Sequence, residues 1–169
     1  MFSGMSESNI KLREMLSEDF SHMEEFLYLA IFVPPDQKPL EREIIFRPDI
    51  YVYIEGFNPE NNRGDCGVLA EANGQVAGMA WTRLMKGHGH IDDETPELSM
   101  SVLESYRGKG LGTALMMRMF DLLKERGFSQ TSLSVQAANP ASRLYLRMGY
   151  EIYESIQGNV EVWTMIKKL

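Results

Sequence analysis

At 169 residues the chain is long enough for one domain with a sizeable core and short for two. Its 44% hydrophobic and 24% charged residues exclude a disordered or fibrous class, and the absence of a long apolar run argues against a membrane span. A net charge of −7 argues against nonspecific nucleic-acid binding, which needs a basic surface to neutralise phosphates.

The residues from Ile10 to Leu16 alternate as in a strand. Ser17 can cap a helix, with Glu18 and Asp19 in its first turn and Phe20, Met23, Leu27 and Ala30 on one face; Pro34 and Pro35 stop it. "PLEREII", Pro39 to Ile45, reads as a second short helix. Asp49 to Glu55 reads as a helical turn or a strand, and Pro59 to Asp65 as a polar loop. "CGVLAEA" and "QVAGMAWTRLM" then flank Asn73-Gly74, a pair favoured in tight turns between antiparallel strands. Cys66 opens the first of these strands as a small core residue. As the only cysteine it excludes an intramolecular disulfide. The amino-terminal stretch "MFSGMSESNIKLREML", in which Met5 could serve as an alternative start, lacks a basic region leading into an apolar core. Together these features predict a cytoplasmic setting.

"GHGHIDDETP", Gly87 to Pro96, is a loop whose two histidines lack a third ligand at a recognisable spacing, so no metal is expected. "ELSMSVL" is a strand that ends just before a glycine-rich stretch. Gly110 to Arg126 is a helix with Leu111, Leu115, Met119, Leu122 and Leu123 near helical spacing, closed by Gly127. Met116, Met117 and Met119 read as core and helix surface rather than as a cofactor box. "QTSLSVQ" is a further strand. Asn139, with Pro140 at the first helical position, starts a short helix through Met148 that Gly149 ends. "YEIYESI" and "EVWTMIKKL" form a second hairpin about Gly158-Asn159. This order predicts an α/β or α+β architecture, one domain over residues 1–169 with a sheet of six or seven strands.

The informative stretch is "YRGKGLGT", Tyr106 to Thr113. Its spacing fits neither the triphosphate-binding loop nor the dinucleotide fingerprint. Its context is telling: a strand enters, glycines follow and a helix leaves. The first N–H groups of a helix have no internal partners and carry partial positive charge, and glycines let a loop backbone approach an anion closely. A side chain at Gly110 or Gly112 is expected to fill that space. Charge agrees: residues 107 to 147 hold seven Lys/Arg against two Asp/Glu, a local balance of +5 that leaves −12 on the rest of the chain.

"VLESYRGKGLGTAL" resembles the acyl-coenzyme A binding motif of the GNAT superfamily of N-acetyltransferases, R/Q-x-x-G-x-G/A, with Arg107, Gly110 and Gly112 in place. "NPASRLYLRMGYE" is similar to a second signature of that family, through Asn139, Ala141, Tyr145, Gly149 and Tyr150. The similarity covers most of the chain and departs at Glu104, where many relatives carry proline. It implies a mixed, mostly antiparallel six- to seven-stranded sheet with a central splay and about four helices. It also implies acetyl-CoA as co-substrate, without a metal, and direct acetyl transfer to a primary amine of a small molecule or peptide.

The resemblance further implies that the pyrophosphate rests on the N–H groups of Arg107, Gly108, Lys109, Gly110, Leu111 and Gly112, with Thr113 beside them. The pantetheine arm pairs with the strand ending at Val102 and Leu103. Asn139 and Ser142 contact the cofactor, and Tyr145 donates a proton to the departing thiolate. Glu97 is the candidate base, directly or through water, with Asp92 and Asp93 as weaker alternatives. Acceptor specificity is assigned to residues 31–65 and to the loop from Lys86 to Pro96, where His90 could touch substrate. The acids Asp92, Asp93 and Glu94 there favour a cationic amine. A homodimer is left open. The competing reading is a catalytically silent acyl-CoA sensor or regulatory module.

Overall fold

The structure is a computed structural model that describes residues 9–169; the start of the chain, with Met5 and the first half of the stretch read for a signal peptide, lies outside the described residues. β1 (Ile10–Glu14) is followed by a 3-10 turn over Ser17–His22 and by α1 (Met23–Ala30). Asp19, not Ser17, supplies the cap: its carboxylate accepts a hydrogen bond from the Leu16 N–H at 2.7 Å. The expected helix at Pro39 to Ile45 begins later, as a 3-10 turn over Arg42–Phe46, and leads into the one-turn α2 (Pro48–Tyr51), whose Pro48 takes a first-turn position that needs no N–H. Residues 52–56 continue as turns, so this segment is helical rather than extended.

β2 (Cys66–Ala72) and β3 (Gln75–Arg83) form the expected hairpin. Asn73 and Gly74 have φ of 53° and 78°, the left-handed pair that a two-residue turn with the right twist requires. β4 (Glu97–Val102) leads into α3 (Leu111–Glu125), β5 (Gln130–Gln136) and α4 (Ala141–Arg147). β6 (Glu151–Gln157) and β7 (Glu161–Lys168) make the second hairpin, closed by three residues, with the Gly158 N–H on the Val160 carbonyl.

The seven strands lie in the order β1-β2-β3-β4-β5-β7-β6, antiparallel except for β4 and β5. Both faces of the central strands are covered, which is why β2 and β3 read as nearly continuous apolar runs. On one face α3 buries Leu115, Met116, Met119 and Leu123 against Val68, Ala70 and Ala80. On the other, Met23, Phe26 and Leu27 of α1 pack on Leu69, Met79 and Trp81. Each such buried side chain contributes about 1.5–3 kcal/mol. Met117 turns outward, and Cys66 is a buried core residue, as their positions predict.

Candidate active site

β4 carries the site along its length. Glu97 stands at its first position and Val102 at its last, roughly 16 Å apart at a strand rise of about 3.3 Å per residue. β4 and β5 are in register only at Glu97 and Ser132, where the Ser132 N–H donates to the Pro96 carbonyl at 3.0 Å. Beyond that pair the two strands part, which is the splay expected from the resemblance. The Leu103 N–H donates to Ala77 on β3. Backbone groups alternate in direction along a strand, so those of Leu98, Met100 and Val102 face the opening.

At the far end of β4 the chain passes through a 3-10 turn, Glu104–Tyr106, into the glycine loop. Gly108 and Gly110 have φ of 73° and 80°, and nothing stands within 4 Å of where a Cβ would lie, so conformation rather than crowding requires glycine there. Gly112 differs from the expectation. A Cβ on it would come 3.2 Å from Leu144 Cδ2 and 3.3 Å from Met100 Cε, so this glycine lets α3 close on β4 and α4. Ala114 is the first residue of α3 whose N–H reaches a carbonyl one turn back, on Gly110 at 3.1 Å. The preceding donors of Leu111, Gly112 and Thr113 form a positive helix end. Arg107 folds back, its Nε donating to the Val102 carbonyl at 3.1 Å, and Lys109 Nζ lies 5.5 Å from the centre of the Tyr106 ring. A left-handed glycine loop, a helix start and two cations fit a pyrophosphate, and the open edge of β4 fits an extended, amide-bearing arm.

α4 brings the second signature alongside. Asn139 Oδ1 accepts from the Ala141 N–H at 2.9 Å, capping the helix as its position predicts. Ser142 is buried, with its hydroxyl on the Ala137 carbonyl at 3.4 Å. Tyr145 is buried with its ring edge-on to Tyr150, and burial pushes its hydroxyl up to about 12.

Glu97 lies at the other end of β4 and is only 2% exposed. Tyr53 Oη donates to its Oε2, and the Gly89 N–H donates to Oε1 at 3.0 Å. Burial pushes this carboxyl up to about 7; the bonds from Tyr53 and Gly89 and the nearby His90 pull it partly back. The same burial, then the Glu97 charge, holds the Tyr53 hydroxyl well above its ordinary range. Tyr53 escapes a reading of the sequence. It is 44 residues from Glu97, on a segment without periodicity, and is anchored through its own carbonyl, which accepts from Trp81 Nε1 at 3.0 Å.

The loop from Gly87 to His90 forms a strap over the carboxylate. A Cβ on Gly87 would come 2.7 Å from Glu97 Oε1. One on Gly89 would come 2.7 Å from the Leu133 carbonyl carbon and 3.0 Å from Glu97 Cδ. The strap is pinned by Ser132 Oγ on the Gly89 carbonyl and by the His88 N–H on Tyr53 Oη. Its histidines diverge: His88 Nε2 is 3.5 Å from Asp49 and His90 Nε2 is 3.2 Å from Asp93. Among the described residues no group of three or more His, Cys, Asp or Glu could hold a metal ion. The acidic loop is not one field. Asp92 is engaged by the Glu94 N–H and the Thr95 hydroxyl, and Glu94 meets Arg63 at 3.1 Å. Asp93 and Glu94 face water, at 85% and 80% side-chain exposure.

Comparison with known proteins bears on the family and the fold. A mycothiol acetyltransferase from Thermobifida fusca is 31% identical over 124 residues, 71% of this chain and 34% of that protein. An N-alpha-acetyltransferase from Sulfurisphaera tokodaii is 33% identical over 92 residues, 49% of this chain and 54% of that protein. The chain thus spans about a third to a half of these relatives. A Salmonella typhimurium protein solved with its cofactor acetyl-CoA superposes with a TM-score of 0.68 at 20% identity, covering 95% of this chain and 94% of that one. Among the described residues no helix is long and apolar enough to cross a membrane. Residues 12–150 match the acetyltransferase (GNAT) family, and the chain belongs to that family.

Proposed function

We propose that the protein transfers an acetyl group from acetyl-CoA directly to a primary amine, with Glu97 as base and Tyr145 as proton donor. The observation that carries this reading is Glu97: a buried carboxyl held near neutrality at the start of the strand whose other end opens on an anion cradle. An amine with a pKa of roughly 10 is protonated at neutral pH and must lose a proton before it can attack. A base is most effective when its own pKa lies near the working pH, and burial brings Glu97 there.

Acetyl-CoA supplies an activated thioester. The residues that would hold it are the glycine loop with Arg107 and Lys109, the Val102–Leu103 end of β4, and Asn139 and Ser142. The Tyr145 hydroxyl stays protonated at neutral pH and so remains able to give a proton to a departing thiolate. A silent acyl-CoA sensor would need the cradle and the open strand but not a carboxyl buried at energetic cost, so catalysis is the better reading.

The acceptor class rests on the loop that faces water, where Asp93, with Glu94 partly offset by Arg63, favours a cationic amine. Thiol release from acetyl-CoA across spermidine, glucosamine and peptides with a basic amino terminus tests both points. Binding of acetyl-CoA without turnover of any amine would support the sensor instead. Tyr145→Phe is expected to lower turnover about 10²- to 10⁴-fold with acetyl-CoA affinity nearly intact. A variant turning over at the parental rate would reduce Tyr145 to packing.

A further inference from the structure

We propose that the proton of the acceptor amine reaches Glu97 through the hydroxyl of Tyr53, which makes Tyr53 a catalytic relay; this rests on the reading of Glu97 as the base. Both carboxylate oxygens are already engaged, Oε1 by the Gly89 N–H and Oε2 by Tyr53 Oη. The strap stands so close that a methyl at Gly87 would collide with Oε1, and one at Gly89 would lie 3.0 Å from Cδ. An amine therefore has no direct approach to Glu97. Tyr53 is less buried than Glu97, and its hydroxyl lies between the carboxylate and the strap residue His88.

The rotor of Tyr53 is set. Its oxygen accepts the His88 N–H at 2.9 Å, so its one proton is directed at Glu97, and a second acceptor position on the phenol oxygen is left for an amine. The His88 ring stacks on the Tyr53 ring at 6.3 Å, which fixes the plane of the phenol. The transfer balances in one concerted shift. An N–H proton of the amine bonds to Tyr53 Oη as the phenol proton passes to Glu97 Oε2. The amine becomes a neutral nucleophile, Tyr53 ends as it began and Glu97 becomes a neutral acid. No tyrosinate is needed, which matters because burial beside Glu97 makes that anion unfavourable. The titratable groups around the pair are His90, which favours ionised Glu97, His88, stacked on Tyr53, and Asp49, which lies near both His88 and Tyr53.

Tyr53→Phe keeps the ring and removes the relay. With acetyl-CoA and the amines named above, its kcat is expected to fall about 10²- to 10⁴-fold across the whole pH profile, with the Michaelis constant for acetyl-CoA unchanged. If Tyr53 only positioned Glu97, losing its hydrogen bond would raise the acid limb, and the rate would return to the parental plateau at higher pH; that recovery overturns the proposal. Glu97→Gln is the separate control, since parental activity in that variant removes the base itself, whatever Tyr53 does. Infrared difference titration of the Glu97 carboxyl needs no acceptor. It should titrate near neutrality in the parent and higher in Tyr53→Phe, and an unmoved titration shows that the bond is absent and ends the proposal. Should Tyr53→Phe fail to fold, a proton inventory on the parent decides: a bowed dependence on deuterium fraction means two protons in flight, and a linear one overturns the relay.

Discussion

Asp19 and Glu97 are both carboxylates taken almost wholly out of water, at 4% and 2% exposure, and their surroundings push them in opposite directions. Asp19 receives both outer nitrogens of Arg13 at 2.7 and 2.8 Å and the Leu16 N–H, and the guanidinium holds its carboxyl below the usual range. Glu97 receives a phenol and one amide N–H, neither carrying charge, and burial lifts it to about 7. The lesson is that burial alone does not fix a carboxylate's role. A cation within reach makes it a permanent anion that holds structure. Neutral donors leave it able to exchange a proton at physiological pH.

The largest test of this contrast is turnover. Glu97→Gln should lower kcat about 10²- to 10⁴-fold and erase the acid limb near neutrality, whereas Asp19→Asn should leave kcat close to the parent. Asp19→Asn should instead lose about 1.5–3 kcal/mol in urea unfolding, the worth of a charge-assisted hydrogen bond. Equal loss of activity in both variants would break the comparison.

Stability against pH separates them next. Glu97 has a folded pKa of about 7 against an ordinary 4.5, so the folded state holds its proton where the unfolded state has lost it. Stability from this group is therefore present below about 4.5 and declines as pH rises towards about 7, by on the order of 3 kcal/mol at 1.36 kcal/mol per unit. Asp19 works in the other sense, since its folded pKa is depressed: its contribution is present above the ordinary aspartate range and is lost as pH falls below it. Thermal melts of the parent, Glu97→Gln and Asp19→Asn between pH 3 and 9 check both signs. Glu97→Gln should flatten the decline towards neutral pH, and Asp19→Asn should flatten the loss in acid.

Gly89→Ala probes how tightly the strap defines the neutral site. Its Cβ would meet backbone atoms of Leu133 and Ser134 at 2.7 and 2.9 Å, so the strap must move, at a cost of about 1–3 kcal/mol, and the infrared titration of Glu97 should move with it. The smallest effect belongs to the exposed acids. Neutralising Asp93 and Glu94 together should raise the Michaelis constant of a cationic acceptor a few-fold at low salt and hardly at all at high salt, because charges at the surface are screened over about 8 Å at physiological ionic strength. No salt dependence would leave the acceptor without a charge preference.

Much of this protein was legible in the order of its residues because the relevant physics is local. The Asn73-Gly74 turn, the strand before the glycines, the helix start beyond them and the cap at Asn139 each depend on a few neighbouring residues, and each lies within a residue or two of its expected place. Where neighbouring residues are less decisive the structure departs from expectation, as at Pro39 to Ile45, whose helical turn forms a few residues later and leads into Pro48. Glu97 could be named from its place at the head of β4, but not its state. That depends on Tyr53, 44 residues away, and on two strap glycines whose missing side chains matter only because β5 and Glu97 lie against them. Gly112 teaches the same point, since its neighbours Met100 and Leu144 come from a strand and a helix far apart in the chain. Backbone conformation and helix ends are written in adjacent residues; burial, and with it the proton affinity of a carboxylate, exists only once distant segments have closed around it.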